Sequence, residues 1–293
     1  MSNSDEVKAF LSTRRAKIRP EQAGLAHFSR NRRVPGLRRS EVADLAGVSV
    51  EYYARLERGN VAGVSESVLD ALARALQLDE AERVHLADLV RAAIPGARAR
   101  RTSSAQQVRP GLARILAGMT DVPAIVNSGT LDLLAANPLG QALFAPVLAN
   151  PTRPVNHARF CFLEPRSHDF WLDWERAADD SVAALRLQAG RDPYDKRLTN
   201  LVGELSTRSD AFRVRWAAHD VRLHRTGGKS FHHPVVGDLH LSFEVMELPA
   251  DPGLSLIAFS AEAGSPADDS LRVLASWAAT HLSAEALAPP KQS

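Results

Sequence analysis

Nine basic residues and a single acid lie between Arg14 and Arg39. Directly after them the chain reads Arg39-Ser40-Glu41-Val42-Ala43-Asp44-Leu45-Ala46-Gly47-Val48-Ser49-Val50-Glu51-Tyr52-Tyr53-Ala54-Arg55-Leu56-Glu57-Arg58-Gly59. Guanidinium groups neutralise phosphate, and side chains on a helix laid in the major groove read base edges. In a helix-turn-helix the second helix does the reading, mostly through its N-terminal residues. That assigns Val50, Glu51, Tyr52 and Arg55 to the groove. Arg55 offers a two-donor fork for guanine O6 and N7, and Glu51 can accept from a cytosine amino group. Arg30, Arg32, Arg33, Arg38, Arg39 and Arg58 are cast as phosphate contacts, which position the protein without specifying sequence. Glu57 is expected to pair with Arg14 or Arg15, and one of Tyr52 and Tyr53 to be buried.

These residues need a scaffold. Val42, Leu45, Val48, Tyr53 and Leu56 are expected on the inner face of a helix pair over 40–46 and 50–58. Gly47 marks the turn, Ser49 caps the second helix and Gly59 stops it. Apolar spacing predicts a first helix over 5–18, a fourth opening at Val64–Ser67 and a fifth starting at Asp79. The result is an all-α, five-helix domain over 1–94. A stretch poor in apolar residues, 95–108, reads as a linker. A second domain, 109–285, shows short strands at Ala124–Asn127 and Leu131–Ala135, then a helix at Leu139–Leu148. Helices are expected at Asp169–Gln188, Tyr194–Leu205 and Ser209–Ala218. Strands follow at Val221–Arg225, Leu239–Leu248 and Leu254–Ser260, with a closing helix over Pro266–His281. This order describes an α+β domain with an antiparallel sheet covered by helices. Residues 286–293 read as a disordered tail.

Composition narrows the classes. Residues 1–101 carry 18 Lys and Arg against 13 Asp and Glu, and the remainder carries 18 against 21. The basic character is therefore confined to the helical end. The single cysteine, Cys161, excludes an internal disulfide and a cysteine-based zinc finger. No apolar run is long enough for a membrane span, and the acidic N-terminus does not resemble a signal peptide, so a cytoplasmic protein is expected. The motifs of serine hydrolases, phosphate-binding loops and zinc proteases are missing, and Asp179-Asp180 and Asp268-Asp269 read as helix-surface or first-turn charges. The chain is read as a non-enzyme with no resident cofactor. The histidines at 219, 224, 232, 233 and 240 are irregularly spaced, and His232 and His233 should point to opposite faces of a strand. No metal site is expected.

Longer motifs add a family resemblance. The arm R-x-R-R-x-P-G-L-R-R over Arg30–Arg39, Y-Y-x-R-L-E over Tyr52–Glu57 and V-L-D-A-L-A-R-A-L over Val68–Leu76 are similar to XRE-type helix-turn-helix regulators of the MmyB-like branch. Beyond the linker, Pro123-Ala124, Leu134 with Asn137-Pro138, Asp173-Trp174-Glu175, Leu201–Ser206, Trp216, His219 and His233–Gly237 resemble that family's effector domain. The resemblance implies a PAS-like fold with an apolar pocket for a fatty-acid-like or other small apolar effector. Ala135-Ala136 departs from the family, where a tryptophan is common, and implies a roomier or differently shaped pocket. Aromatic walls and a few polar anchors suit such a ligand. Arg159, Phe162, Trp171, Trp174, Trp216 and His233 are the candidates, with Arg159 and His233 as anchors for a carboxylate. The expected partners are operator DNA, a small apolar ligand and a second copy of the chain, since one recognition helix reads few base pairs. Two alternatives remain open: a ligand-free dimerisation domain, or a helix-turn-helix that binds a protein, as in an antitoxin-like module.

Overall fold

The computed structural model describes residues 3–25, 34–93, 107–218 and 225–286. Its packing separates two compact units. One gathers Met1–Thr102, Arg186–Lys196 and Val214–Leu223, and the other Ser103–Leu185, Arg197–Arg213 and His224–Ser293.

The first unit holds α1 (Asn3–Lys17), α2 (Arg39–Ala46), α3 (Val50–Glu57), α4 (Glu66–Ala75) and α5 (Glu80–Ala93). Val7, Phe10 and Leu11 of α1 meet Val42, Tyr53, Leu56, Leu72, Leu86 and Leu89 in one core. The inner face of α2 is Val42, Ala43 and Ala46. Leu45, expected there, is exposed. At about 100° per residue, positions 42, 43 and 46 share one stripe and 45 falls well off it. Gly47 adopts left-handed backbone, φ 66°, and its N–H closes on Ala43 and Asp44, a glycine C-cap. Gly59 is held more tightly. Its φ is 85°, and a Cβ there would lie 2.2 Å from the Ser4 carbonyl oxygen, so α1 can approach only a residue without a side chain.

The segments from the later part of the chain join this unit through named contacts. Arg186 is 1% exposed, pairs with Glu6 at 3.1 Å and sits 4.1 Å from the Trp216 ring centroid. Gly190 lies so close to His85 that a Cβ would come within 2.7 Å of its Nδ1. A division at 95–108 therefore does not capture every residue that packs with the helical unit.

The second unit begins with α6 (Pro110–Gly118), β1 (Ala124–Ser128), β2 (Leu133–Ala136), α7 (Pro138–Leu143), α8 (Ala145–Leu148), α9 (His157–Leu163) and α10 (Arg166–Phe170). Then come α11 (Trp174–Arg191), α12 (Lys196–Arg208), α13 (Asp210–Ala217), β3 (Thr226–His233), β4 (Gly237–Glu247), β5 (Leu254–Ser260) and α14 (Pro266–Ala286). The five strands form one antiparallel sheet in the order β2-β1-β5-β4-β3, the α+β, PAS-like arrangement expected. One sheet face packs Ala124, Val126, Leu254 and Leu256 against Leu112 and Leu116 of α6. The opposite face packs Ile125, Phe231, Leu239, Leu241 and Phe243 against α7, α10 and α14. The Asn137-Pro138 pair has a clear task. Asn137 Oδ1 accepts from Gly140 N at 2.7 Å and Ala124 N at 3.0 Å, while its Nδ2 donates to Val122 O at 2.7 Å. It caps α7 and fastens it to β1.

Differences from expectation follow local chemistry. α6, α9 and α10 were not anticipated, and the helix expected from Asp169 begins at Trp174, after a break at 171–173. The helix expected over Leu139–Leu148 is two, α7 and α8, with Pro146 near the start of α8, where a missing N–H is tolerated. Of the strand expected at Val221–Arg225, residues 221–224 lie outside the described residues, and β3 runs instead from Thr226. Its Gly-Gly-Lys-Ser composition hides it, because Phe231 is its only large apolar residue. Arg30, Arg32, Arg33, His219, His224, most of the 95–108 stretch and the tail from 287 also lie outside the described residues. No described helix is long and apolar enough to cross a membrane.

Candidate nucleic-acid interface and ligand site

α3 is set by its cap. Ser49 Oγ accepts from Tyr52 N at 3.1 Å. Tyr53 and Leu56 then turn inward, and Val50 and Glu51 turn out. Tyr52 and Arg55 are half-buried, and the Arg55 guanidinium lies 4.7 Å from the Tyr52 ring centroid. The tyrosine face thus holds the arginine head against α3 by cation–π attraction. One tyrosine in and one partly out is the expected arrangement.

Beneath this surface lies a charge cluster. Glu57 is 2% exposed. Its Oε1 accepts from Arg15 Nε at 2.6 Å and its Oε2 from Arg39 Nε. Arg15 also donates to Leu37 O at 2.8 Å. Glu57 therefore clamps α1, the approach to α2 and α3 together, with each carboxylate oxygen matched to its own guanidinium. Arg14 pairs instead with Glu82, at 2.5 Å. Glu82 in turn exchanges hydrogen bonds with Asp79 across the first turn of α5. Burial, with the Glu57 charge adding to it, pushes the Tyr53 hydroxyl well above its ordinary range. Arg38 and Arg58 are exposed. Arg39, cast as a phosphate contact, also serves the clamp, with 56% of its side chain still exposed.

Five of the six candidate ligand residues lie in the second unit, and Trp216 lies in the first. Arg159 pairs with Glu204 at 2.8 Å. Phe162 packs edge-on against Trp174 and Phe212, and Trp174 Nε1 donates to Cys161 O at 3.0 Å. Trp216 belongs to the first unit, under Arg186. His233 has both ring nitrogens engaged: Nε2 with Ala142 O at 3.0 Å, and Nδ1 with Val235 N at 3.2 Å. It ties the end of β3 to α7, and burial lowers its pKa. His232 points the other way, to Asp238 at 2.5 Å, and His240 meets Ser230.

Trp171 is different. It is 7% exposed, it bridges Phe231 across the chain, and its Nε1 has no hydrogen-bond partner. Two residues not singled out from the sequence stand near it. Strand alternation places Lys229 on the same face as Phe231, facing Leu241 of β4. Its Nζ lies 5.5 Å from the Trp171 and Phe243 ring centroids and 3.1 Å from Asp180 Oδ2. Asp180, expected on a helix surface, is buried, because α11 turns it toward this lysine. His157 opens α9, which Asn156 caps by accepting from Arg159 N at 3.0 Å. Asn156 is itself fixed by Asp132 at 2.7 Å. The residue keeps some accessible surface, but its ring is enclosed. Burial, with the Lys229 charge adding, pushes its pKa down to about 4, and its Nε2 has no partner. Phe144 packs edge-on between His157 and Phe231, with centroids at 5.3 and 5.9 Å. The signals available for Lys229 and His157 were alternation from Phe231 and an Asn cap ahead of the helix.

Comparison with known proteins fits both units. A family model described as "MmyB-like transcription regulator ligand binding domain" matches residues 108–274, more than half of the chain. A second, described as "Helix-turn-helix domain", matches residues 14–86. No curated protein matches the chain. A capped helix pair with basic residues around it, followed by a helix-covered antiparallel sheet within that match, is the architecture of a ligand-responsive transcription regulator, and the chain belongs to the MmyB-like transcription regulators.

Proposed function

We propose that this regulator binds a specific operator as a homodimer and responds to a small apolar, fatty-acid-like effector in its second unit. The observation that carries the reading is α3: a short, capped helix that turns Val50 and Glu51 out and leaves Tyr52 and Arg55 half-exposed beside them, flanked by Arg38, Arg39 and Arg58. In this reading the first four meet base edges, and the flanking arginines meet phosphate with Arg30, Arg32 and Arg33 of the arm. Arg39 uses the nitrogens its Glu57 bond leaves over. Its place of action is the cytoplasm, where its DNA is. The effector shifts DNA affinity only as far as it prefers one arrangement of the protein.

The test is binding to promoter-proximal DNA across a salt series, beside a scrambled duplex of equal length. Sequence-selective binding with a steep salt dependence is expected. Arg55→Ala should cost about 1–3 kcal/mol on the cognate site and relax preference. Equal loss on both duplexes would remove base reading from Arg55. Weak, equal binding by the parent protein would favour a protein partner for the helix pair.

A further inference from the structure

Glu51 and Arg55 stand one helical turn apart on α3, glutamate first, which is the order a helix favours for an ion pair. Among the described residues no such pair forms. The Arg55 guanidinium lies 4.7 Å from the Tyr52 ring centroid instead, held by the aromatic face. Its Nε is buried without a hydrogen-bond partner, so the donors left for another molecule are those of its two terminal nitrogens. Glu51 is exposed and, among the described residues, has no hydrogen-bond or ion-pair partner. A carboxylate on a surface that also carries Arg38, Arg39 and Arg58 repels phosphate and lowers affinity for every duplex alike. General affinity for DNA therefore gives no reason for Glu51. Discrimination between bases does.

We propose that Tyr52 is a positioning residue that keeps Arg55 away from Glu51, so that the two read separate bases: Arg55 a guanine and Glu51 a cytosine. This rests on the reading of α3 as the helix that enters the major groove. An ionised carboxylate can only accept. In the major groove cytosine offers a donor, adenine a donor beside an acceptor, and guanine and thymine acceptors alone. Glu51 thus selects cytosine and rejects guanine and thymine, whose oxygens would face its own. A guanidinium can only donate, so Arg55 selects the opposite edge. Paired with each other, the two side chains would satisfy one another and discriminate far less. The Tyr52 ring prevents that and orients the Arg55 fork before DNA arrives. The backbone beneath them is fixed, since Ser49 caps the first turn and Tyr53 and Leu56 are buried. One turn of helix rises about 5–6 Å, and base pairs are stacked about 3.4 Å apart. The operator half-site is therefore expected to hold two G·C pairs within about two steps of each other, one read from its cytosine and the other from its guanine.

The test is selection by the full chain from a pool of randomised duplexes, followed by titration of the enriched duplex and its single-base changes. The parent should enrich a motif with the two G·C pairs. Glu51→Gln lies on the surface and keeps the fold. Its amide pairs with adenine, so one cytosine position should turn to adenine, by roughly tenfold in preference, while the rest of the motif stays. Tyr52→Leu should reduce discrimination at the guanine position roughly threefold or more, and Tyr52→Phe, which keeps the ring face, should hold it. Adding Glu51→Gln to Tyr52→Leu should restore part of the guanine preference, because the competing charge is gone; a merely structural role for Tyr52 would show no such rescue. A motif unchanged by Glu51→Gln, with affinity raised equally for all duplexes, overturns the proposal and makes Glu51 a solvated charge. Full guanine preference in Tyr52→Leu overturns the positioning role. Enrichment of no motif by the parent overturns the groove reading on which the proposal rests.

Discussion

The two units treat an inward-facing charge in opposite ways. In the helical unit Glu57 is buried and each of its oxygens has its own arginine. In the sheet unit Lys229 touches one oxygen of Asp180, and the polar atoms beside it on Trp171 and His157 have no partner. A carboxylate surrounded by matched guanidinium donors stiffens a scaffold, because every way of moving breaks a strong bond. Donors left unmatched in an apolar setting do the reverse and favour whatever fills them. Elsewhere the helical unit also buries polar atoms with no hydrogen bond, Arg55 Nε on α3 among them. The Tyr53 hydroxyl lies within the field of the Glu57 cluster, and its raised pKa keeps it neutral there. The lesson is that α3 is fastened to α1 through a closed ion cluster at Glu57, whereas the cluster around Lys229 leaves polar atoms of Trp171 and His157 unmatched.

The strongest way to break this contrast is Glu57→Gln. It keeps the shape of the side chain but leaves Arg15 and Arg39 facing an uncharged amide. Removing one partner of a buried pair costs about 3–5 kcal/mol. Urea unfolding of the full chain should show the helical unit losing about that much, with α3 no longer fixed against α1. A loss under about 1 kcal/mol would mean that the clamp is ornamental and the apolar core alone sets the angle of α3.

A pH series sharpens the other side. His157 titrates at about 4 in the folded chain against 6.5 for a free imidazole. Between these values the unfolded chain takes up a proton that the folded chain refuses. Stability is therefore lost as pH falls from about 6.5 to about 4, and His157 contributes no further loss below that. The full difference corresponds to at most about 3 kcal/mol. His157→Phe should flatten this part of the profile. His233, also lowered by burial, contributes in the same direction, so the decisive quantity is the difference between parent and variant. An identical slope in both would show that His157 is not enclosed in solution.

How much of this was legible depends on whether the signal was local. The turn at Gly47, the Ser49 cap and the inward Tyr53 and Leu56 follow from periodicity and capping chemistry within some twenty residues. The Glu57 pairing was anticipated from its neighbours in charge, but the choice of Arg15 and Arg39 over Arg14 needed the packing of α1. Leu45 was misplaced because an eight-residue helix buries a narrow stripe, and two alanines occupied it. In the sheet unit, β5 is mostly apolar, with Leu254, Leu256, Ile257, Ala258 and Phe259, and its bounds follow from the sequence, whereas β3 is masked by glycine, lysine and histidine. The polar cluster was least legible of all. Trp171, Asp180, Lys229 and His157 are scattered over more than seventy positions, and nothing in the residues near any one of them says that they meet. Arg159 and His233 were attractive as anchors from type alone, but Glu204, Ala142 and Val235 already engage them.

A smaller effect locates the boundary between the scaffold and the reading surface. Ser49 does not touch the Glu57 clamp. Its hydroxyl accepts from Tyr52 N, one of the free backbone donors at the start of α3. Ser49→Ala should cost about 1 kcal/mol of stability. That loss should fall on the first turn, which carries Val50, Glu51 and Tyr52, while Tyr53 and Leu56 stay packed. Operator binding should weaken because the first turn must be ordered on DNA rather than before it. Scrambled DNA, held mainly by phosphate contacts, should be affected less. Ser49→Asp restores a cap and should recover stability, yet its charge near the groove should lower affinity for both duplexes. If Ser49→Ala weakened both duplexes equally, the first turn of α3 would be a phosphate contact, and the base-reading set would have to be sought from Arg55 onward.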